Sequence, residues 1–380
     1  MDPMNLKMRN LQLIDLVRSF CILSVLAIHS DVIFQKSQNL WVQWCWEHFQ
    51  RNGVYGVYLF FVISGFLITG VLAKNPGGLY RPSLKIFYVQ RAGRILPLLM
   101  TTIWIGICML IMSPPSGFDY LDVFRPEAGH LNAAFWVSIA TFTFNWFLAF
   151  HTPAAFGLYW GILWSLCVEE QFYLFFPIFL KKTNSENFLW RLLIAIVLFA
   201  ILWRWLCHLF APSNRYLQTA VSFGAFDSIA IGSLLYLADQ RWGQWLAKDL
   251  KKCAVICAAG FTLLAGVYWN TTLSSFDQIY VPTLLDMGLA LFLMGGLRLS
   301  FFESRFLKLF SLPGKYCYGG YLLHSLILAV AFPILFRVNV WWGFSLFVFI
   351  TTVAAGISYH FFEMPANRLI RKTFDTHKTR

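Results

Sequence analysis

Charged residues are scarce in this sequence. Only 13% of its 380 residues are Asp, Glu, Lys or Arg, about half of the roughly 25% that is usual in soluble proteins. This scarcity excludes an ordinary soluble chain. Hydrophobic residues make up 58% of the sequence, and they recur in runs of about 20, the length of a membrane-spanning helix. The sequence therefore predicts an all-α, polytopic transmembrane helical bundle.

The polar stretches between these runs are short. None exceeds about 20 residues, which is too little for a folded soluble domain. We therefore expect a single integral-membrane domain over residues 1–380, with no appended soluble domain.

Cysteine is also sparse, and its distribution excludes a disulfide framework. The eight cysteines lie mostly inside apolar runs, where cysteine packs as a small apolar residue. Cys253 and Cys257 share a helix face, but no histidine lies near them in the sequence. We expect no metal site.

Acidic residues are fewer than basic ones, and the formal charge is +12. The basic residues gather in clusters between apolar runs, for example from Arg81 to Arg94. Such clusters are typical of the cytoplasmic loops of membrane proteins. The charge therefore indicates orientation in a lipid bilayer, and a nucleic acid is not an expected partner.

The number of spans follows from hydropathy and from this charge bias. Candidate spans are 12–34, 53–73, 95–113, 133–150, 160–180, 190–210, 220–238, 253–270, 279–298, 318–336 and 341–362. Both chain ends are basic, which favours cytoplasmic termini and an even number of spans. We therefore expect about ten spans, with 133–150 as a re-entrant segment. The basic residues left on the outer side are then Lys36, Arg51, Arg125, Arg204, Arg215 and Arg337.

The first span carries ionisable residues, among them Asp15, Arg18 and His29. A charged group at the centre of a bilayer costs roughly 2.5–3.5 kcal/mol on insertion scales, so such groups usually serve a function. His29 falls in the outer half of the span. A neutral imidazole there could accept a proton from a hydroxyl, although a structural hydrogen bond between helices also explains it.

A second polar cluster lies in the apolar segment from Trp164 to Tyr173. Glu169 and Glu170 are adjacent, so they point about 100° apart on a helix and cannot share one function. Glu169 shares a face with Ser165 and Tyr173, which favours a position facing a polar interior. Either glutamate could instead be an ordinary carboxylate at the membrane interface.

The remaining polar signals are of mixed kind. Arg91 and Arg94 are three residues apart, on one helix face, and suit either the phosphates of a cytoplasmic nucleotide-bearing substrate or lipid headgroups. The simplest interpretation of Asp227 and Asp286 is that each forms a structural hydrogen bond between helices. Residues 60–70, including Ser64 and Gly65, supply small residues for helix packing.

These patterns alone suit a proton-coupled transporter as well as an enzyme. A purely structural scaffold leaves the buried ionisable groups without a function.

Six segments in the right order resemble the acyltransferase type 3 family of integral-membrane acyltransferases. They are Asp15–Arg18 leading to His29, Phe60–Thr69, Phe87–Pro97, Trp164–Tyr173, Tyr316–His324 and Tyr359–Pro365. The resemblance covers a core of about 11–372. Where similar proteins often have an arginine two residues before an aspartate, this chain has Ala225 before Asp227, which puts a substrate-binding function of Asp227 in doubt.

The resemblance implies transfer of an acetyl or other short acyl group from cytoplasmic acyl-CoA to a sugar hydroxyl. The acceptor would be a polysaccharide or lipid-linked glycan outside the cytoplasm, such as lipopolysaccharide O-antigen, and the location a bacterial inner membrane. Acetyl-CoA would be the donor, with no bound cofactor. A transporter or flippase is the alternative, and the oligomeric state is left open.

The resemblance also assigns site residues. His29 matches the family's essential histidine and would be the general base, with Glu169 and Glu170 as the other catalytic candidates. Glu169 would orient or charge-stabilise His29 if the helices bring them together. Direct transfer and a covalent acyl-histidine both remain open. The expected substrate-binding residues are Arg18, Arg91, Arg94, Trp164, Tyr173 and His324.

Overall fold

The computed structural model of the protein describes residues 11–30, 40–112, 131–151, 157–183, 185–272, 274–335 and 340–374. The regular secondary structure in these ranges is helical, and they contain no β-strand. The helices are α1 (Leu11–His29), α2 (Leu40–Arg51), α3 (Tyr55–Ala73), α4 (Leu84–Met112), α5 (Ala133–Ala140), α6 (Phe144–Phe150), α7 (Gly157–Gly161), α8 (Leu163–Lys182), α9 (Glu186–Phe210), α10 (Arg215–Thr219), α11 (Ser222–Leu246), α12 (Leu250–Asn270), α13 (Asp277–Gly296), α14 (Arg305–Phe310), α15 (Leu312–Lys315), α16 (Cys317–Leu335), α17 (Val340–Ser358) and α18 (Met364–Thr373). A 3₁₀ turn (Ser300–Glu303) precedes α14, and a π turn (Tyr359–Glu363) joins α17 to α18.

The predicted helical bundle is confirmed. In the described ranges, nine helical stretches are long and apolar enough to cross a membrane: Gln12–His29, Tyr55–Ala73, Leu84–Met112, Tyr159–Lys182, Glu186–Phe210, Arg215–Leu246, Leu250–Asn270, Asp277–Gly296 and Trp342–Thr373. A tenth apolar helix, α16, has 19 residues. These helices fit the predicted number of spans, whereas the sidedness of the termini stays a prediction. Asp31, Lys36, Arg125 and Arg337 lie outside the described residues.

Segment 133–150 does not form one helix. It is divided into α5, of 8 residues, and α6, of 7 residues. At 1.5 Å per residue each is about 12 Å long or less, against a hydrocarbon core of about 30 Å. Phe142, in the turn between them, has a φ of 55°, and its carbonyl accepts a hydrogen bond from Gln171 on α8. The segment is therefore folded against the bundle in two short helices, and its re-entrant course stays a prediction.

Glycines bring two central helices into close contact. A Cβ atom on Gly65 of α3 would lie 2.0 Å from the Ile229 carbonyl oxygen of α11. A Cβ on Gly232 of α11 would lie 1.9 Å from the carbonyl oxygen of Val62. No larger residue fits at either position, so the packing function predicted for Gly65 is consistent with this contact. Small residues are the usual means by which membrane helices approach closely.

Arg204 forms a buried ion pair. The charge bias places it among the outer basic residues, a sidedness that stays a prediction, and the structure shows that it is completely buried between α9, α11 and α13. Its guanidinium donates to the Asp227 carboxylate over 2.7 Å and to the Gly224 and Ile279 carbonyls. This chain lacks the arginine that similar proteins often have two residues before the aspartate. Its Asp227 is paired instead with Arg204, on the preceding helix. This pairing gives Asp227 a structural function, because a buried charge without a partner is strongly destabilising.

We expect Arg204→Leu to destabilise the protein, because it leaves the Asp227 carboxylate buried without its cation. Breaking a buried ion pair from one side costs about 3–5 kcal/mol. The loss should appear as a lower midpoint of thermal unfolding in detergent. Arg241→Leu is the control, because Arg241 is exposed and its ion pair with Glu186, at 3.9 Å, is long and solvent-accessible.

The double variant Arg204→Leu/Asp227→Leu sharpens this test. Removing both charges leaves no unpaired ion, so the midpoint should recover relative to Arg204→Leu. A single variant as stable as wild type would contradict the assignment.

Candidate active site

The first helix carries two functional candidates at different depths. Arg18 precedes His29 by eleven residues on α1, about 16 Å along the helix axis. Each side chain lines its own cavity. We call the cavity at Arg18 the inner cavity and the cavity at His29 the outer cavity.

His29 forms a hydrogen-bonded pair with His324 of α16. Nδ1 of His29 lies 2.9 Å from Nε2 of His324, and the rings stack with centroids 4.9 Å apart. Nδ1 of His324 lies 2.6 Å from the carbonyl oxygen of Tyr321. A carbonyl only accepts, so this nitrogen carries a proton, and in the neutral ring Nε2 is then an acceptor. Nδ1 of His29 therefore donates to His324, and Nε2 of His29 keeps a free lone pair.

His29 also lines the outer cavity. Its volume is about 550 Å³, within the range of small-molecule binding sites. Its walls combine aromatic and polar side chains with two arginines. The lining includes His29, Arg51, Tyr58, Trp164, Arg215, Tyr216, Gln278 and Tyr321. Trp164, predicted to bind substrate, is held here by an edge-to-face contact with Phe61.

The inner cavity is smaller, about 130 Å³. Its lining includes Arg18, Ser64, Arg91, Arg94, Ser165, Glu169, Tyr173, Cys317, Tyr318 and Tyr321. Ser165, Glu169 and Tyr173 share this wall, as their spacing on α8 predicts. Arginines from α1 and α4 therefore meet the polar face of α8 in one place.

A charge cluster forms one wall of the inner cavity. Arg91 donates to Glu169 over 3.2 Å, and its guanidinium lies 3.8 Å from the centre of the Tyr173 ring. Glu170 completes the cluster, 3.5 Å from Nε of Arg91. Ser64 donates to the second oxygen of Glu169 over 2.8 Å. Both glutamates therefore balance the charge of Arg91.

Arg94 differs from its neighbour. It makes no hydrogen bond or ion pair with another residue in the described part of the chain. Arg18, also in the lining, forms a 3.4 Å ion pair with Asp15 on the same helix. Of the predicted pair of arginines, Arg91 is thus bound to two glutamates, whereas Arg94 lines the inner cavity without a hydrogen bond or ion pair to the described residues.

The two cavities meet back to back. Val57 of α3 and Tyr321 of α16 line both of them. The Tyr321 hydroxyl donates to the Ile162 carbonyl over 2.7 Å and lies 2.6 Å from the Ser165 hydroxyl. A thin wall thus separates the arginines of the inner cavity from His29.

The structure brings some predicted residues together and separates others. Glu169 bonds to Ser64, Arg91 and Tyr173, whereas His29 bonds to His324. The helices therefore do not bring Glu169 to His29, and the residue hydrogen-bonded to His29 is His324, which the resemblance suggested for substrate binding. Helix contacts between distant segments decide this, and spacing within one helix carries no such information.

Two site residues escaped the sequence reasoning. Ser64 was interpreted as a packing residue, yet it donates to Glu169. Tyr321 was not singled out, although it lies three residues before His324 and therefore on the same helix face. No group of three or more His, Cys, Asp or Glu side chains able to hold a metal ion occurs in the described ranges.

Comparison with known proteins agrees with this arrangement. A family model described as an acyltransferase domain matches residues 11–360. The chain belongs to the acyltransferase type 3 family. The match spans the helices that build both cavities, so the resemblance inferred from the motifs is confirmed.

Curated relatives of this acyltransferase-family chain are bacterial. It is 26% identical over 377 residues to the peptidoglycan O-acetyltransferase OatA of Listeria monocytogenes, covering 93% of this chain and 55% of the relative. It is also 26% identical over 369 residues to the putative peptidoglycan O-acetyltransferase YrhL of Bacillus subtilis, covering 93% and 54%. The chain thus spans about half the length of these relatives. No solved structure matches it.

Sided labelling can test the placement of the inner cavity. Cys317 lines that cavity and is partly exposed, whereas Cys45 lies on α2, whose last residue, Arg51, lines the outer cavity. In variants that keep only one of these cysteines, we expect an impermeant anionic thiol reagent to label them from opposite faces of sealed vesicles. Arg18 and Arg94 should favour the anionic reagent at Cys317. Labelling of both from the same face would contradict the two-cavity arrangement.

Proposed function

We propose that this protein is a membrane O-acetyltransferase that moves an acetyl group from acetyl-CoA to a sugar hydroxyl of an extracytoplasmic polysaccharide. The observation that carries the proposal is the His29–His324 pair. It leaves a lone pair on a ring nitrogen at a cavity large enough for a sugar. Family membership supports acyl transfer as the reaction class.

In this mechanism Nε2 of His29 is the general base. It removes the proton of the acceptor hydroxyl while the hydroxyl oxygen attacks the thioester carbonyl carbon. The new C–O bond forms, the C–S bond breaks, and the CoA thiolate leaves. The imidazolium of His29 then returns the proton to the thiolate. The charged ring keeps its hydrogen bond to His324 throughout, because Nδ1 donates in both protonation states.

The donor enters from the inner cavity. Phosphate groups of CoA suit Arg94, which has no hydrogen bond or ion pair in the described chain, and Arg18 beside it. The thioester then reaches His29 when the wall at Val57 and Tyr321, which separates the two cavities, opens to admit the long pantetheine arm. The distance of about 16 Å between Arg18 and His29 along α1 suits such an arm.

Arg91 and the two glutamates are positioning residues in this proposal. Arg91 is neutralised by Glu169 and Glu170 and stacked on Tyr173. The cluster holds α4 against α8 and thereby fixes the inner wall where Arg94 faces the donor. Glu169 thus supports the donor site instead of orienting His29.

A covalent acyl-histidine is the variant mechanism. His29 would attack the thioester first, and the acceptor hydroxyl would then attack the acyl-imidazole. The free lone pair on Nε2 serves either path. Acetyl retained on the protein after mixing with acetyl-CoA alone would support the variant.

Peptidoglycan is the acceptor for which both relatives are named. Neither relative is named for lipopolysaccharide, so O-antigen has no support from them. We therefore propose a polysaccharide or lipid-linked glycan outside a bacterial cytoplasmic membrane, with both termini of the chain in the cytoplasm. Transport remains the alternative class, and the family match favours acyl transfer.

The histidine pair can be tested by graded variants. We expect His29→Ala to lower kcat by about 10²–10⁴-fold, the usual contribution of a general base. His324→Phe should lower kcat less and leave the KM for acetyl-CoA unchanged, because it removes only the orientation of His29. His324→Gln should recover part of the rate, since its amide oxygen can accept from Nδ1 of His29.

The measurement is acetate released by mild alkali from surface glycan, with kcat and KM from the purified protein. Equal membrane levels of each variant are the control. A His29→Ala protein that is inserted normally and acetylates at the wild-type rate would refute the proposal. Equal loss in His324→Phe and His324→Gln would refute the orienting function of His324.

The donor site has its own test. We expect Arg94→Gln to raise the KM for acetyl-CoA about tenfold, because one charge-assisted phosphate contact is worth roughly 1.5–3 kcal/mol. Arg81→Gln is the matched control, since Arg81 belongs to the same basic cluster but does not line the inner cavity. Unchanged donor KM in Arg94→Gln would contradict this assignment.

A further inference from the structure

Acyl transfer to a hydroxyl needs a hydrogen-bond donor as well as a base. Attack on the thioester moves the carbonyl electron pair onto the carbonyl oxygen, and a donor aimed at that oxygen lowers the barrier. His29 supplies the base. The donor has to lie where the two cavities meet, because the thioester arrives from the inner cavity and His29 lines the outer one.

The junction of the cavities offers one such side chain. Among the described lining residues, Val57 and Tyr321 are the two that belong to both cavities. Val57 is apolar, so the hydroxyl of Tyr321 is the side-chain donor that both cavities share in this part of the chain. Tyr321 is buried, and a hydrogen bond to a developing charge is stronger in such a low-dielectric position.

The Tyr321 hydroxyl takes part in a short chain of hydrogen bonds. It donates to the Ile162 carbonyl over 2.7 Å and lies 2.6 Å from the Ser165 hydroxyl. Because Tyr321 gives its single O–H to Ile162, Ser165 is the donor to the Tyr321 oxygen. A hydroxyl that accepts one hydrogen bond is polarised and donates more strongly in its own. Ser165 therefore makes Tyr321 a better donor.

The main chain connects Tyr321 to the histidine pair. The Tyr321 carbonyl accepts a hydrogen bond from Nδ1 of His324 over 2.6 Å, and Nε2 of His324 accepts from His29 over 2.9 Å. Tyr321 precedes His324 by three residues, so both side chains lie on one face of α16. The base and the Tyr321 hydroxyl are therefore held by one chain of hydrogen bonds, and His29 and Tyr321 line the same cavity.

Other side-chain donors of the outer cavity lie on one side of the wall only. Tyr58 donates to the Thr219 carbonyl over 2.9 Å, and Gln278 donates to the Tyr55 hydroxyl over 3.1 Å. Tyr58 and Gln278 line the outer cavity and not the inner one. They suit contact with the acceptor, whereas Tyr321 suits the point where the acceptor meets the thioester.

We infer that Tyr321 is a further catalytic residue, whose hydroxyl donates a hydrogen bond to the carbonyl oxygen of the thioester as the acceptor attacks. The hydroxyl leaves the Ile162 carbonyl when the wall between the cavities opens, and it turns to the substrate. The acceptor oxygen forms the new C–O bond, and the carbonyl electron pair moves onto the carbonyl oxygen. Return of that pair breaks the C–S bond. Tyr321 keeps its proton throughout.

This inference rests on the proposed function and adds the group that stabilises its transition state. Opening of the wall and release of the hydroxyl are one event in this scheme. The donor hydrogen bond thus becomes available only when the pantetheine arm is in place, and a closed wall keeps it on Ile162.

Tyr321→Phe removes the hydroxyl and keeps the ring. We expect kcat to fall about 10²–10³-fold, the usual loss when one donor to the oxyanion is removed. The KM values for acetyl-CoA and glycan should stay at the wild-type level, because the hydrogen bond forms only in the transition state. Ser165 keeps an acceptor in this variant, since its hydroxyl lies 3.4 Å from the Ile162 carbonyl.

The measurement is kcat and both KM values from the purified protein, with acetyl-CoA and surface glycan from the cells that express it. Tyr88→Phe is the matched control, because it removes a hydroxyl that donates to the Leu174 carbonyl over 2.7 Å and lies outside both cavities. It should keep the wild-type kcat. A wild-type kcat in Tyr321→Phe would overturn the inference.

Replacement of Tyr321 by 3-fluorotyrosine separates a catalytic hydroxyl from a structural one. The fluorinated phenol has nearly the same shape and is a stronger hydrogen-bond donor. If the hydroxyl only holds the wall closed through Ile162, a stronger hydrogen bond should lower kcat. We expect kcat to rise instead, because a charged oxygen gains more from a strong donor than a neutral carbonyl does. A kcat at or below the wild-type value would overturn the inference.

Failure of the inference is distinct from failure of the proposed function. If acetylation depends on His29 but not on the Tyr321 hydroxyl, the enzyme stands and the catalytic function of Tyr321 falls. If wild type and His29→Ala release the same amount of alkali-labile acetate, the proposed function itself falls.

Discussion

Polar and charged groups inside the bilayer need partners, and this requirement organises the whole molecule. A charge left alone in hydrocarbon costs several kcal/mol. Arg204 meets the requirement with Asp227, deep in the bundle. His29 meets it differently, as one of two neutral rings that share a single hydrogen bond. Each pair joins helices that are distant in sequence, so satisfying the polar groups also fixes how the helices pack.

The same requirement separates structural groups from groups left available for chemistry. Arg91 contacts Glu169, Glu170 and the Tyr173 ring in the wall of the inner cavity. One turn along α4, Arg94 faces the cavity without a hydrogen bond or ion pair in the described chain. The pairing of His29 with His324 likewise leaves one ring nitrogen unoccupied. The unoccupied positions, at either side of Val57 and Tyr321, define where donor and acceptor would meet.

Much of the architecture was predictable because hydropathy and periodicity are local properties. The runs of apolar residues predicted the bundle. Eleven candidate spans conflicted with the even number that two basic termini favour, and this conflict singled out 133–150 as a segment that does not span. The structure divides that segment at Phe142. Two features could not be predicted, for one reason. Arg204 pairs with Asp227, and His29 pairs with His324 and not with Glu169; each partner lies on another helix, which sequence spacing does not locate.

The sequence by itself determined the class of the molecule, the depth of His29 on its helix and the shared face of Ser165, Glu169 and Tyr173. These follow from composition and from the 3.6-residue helical repeat. Only the tertiary structure decided that His29 pairs with His324 and that Arg91, not Arg94, is bound by Glu169. The physical reason is that hydrogen bonds between helices depend on which faces meet, and that choice is made by packing over the whole bundle.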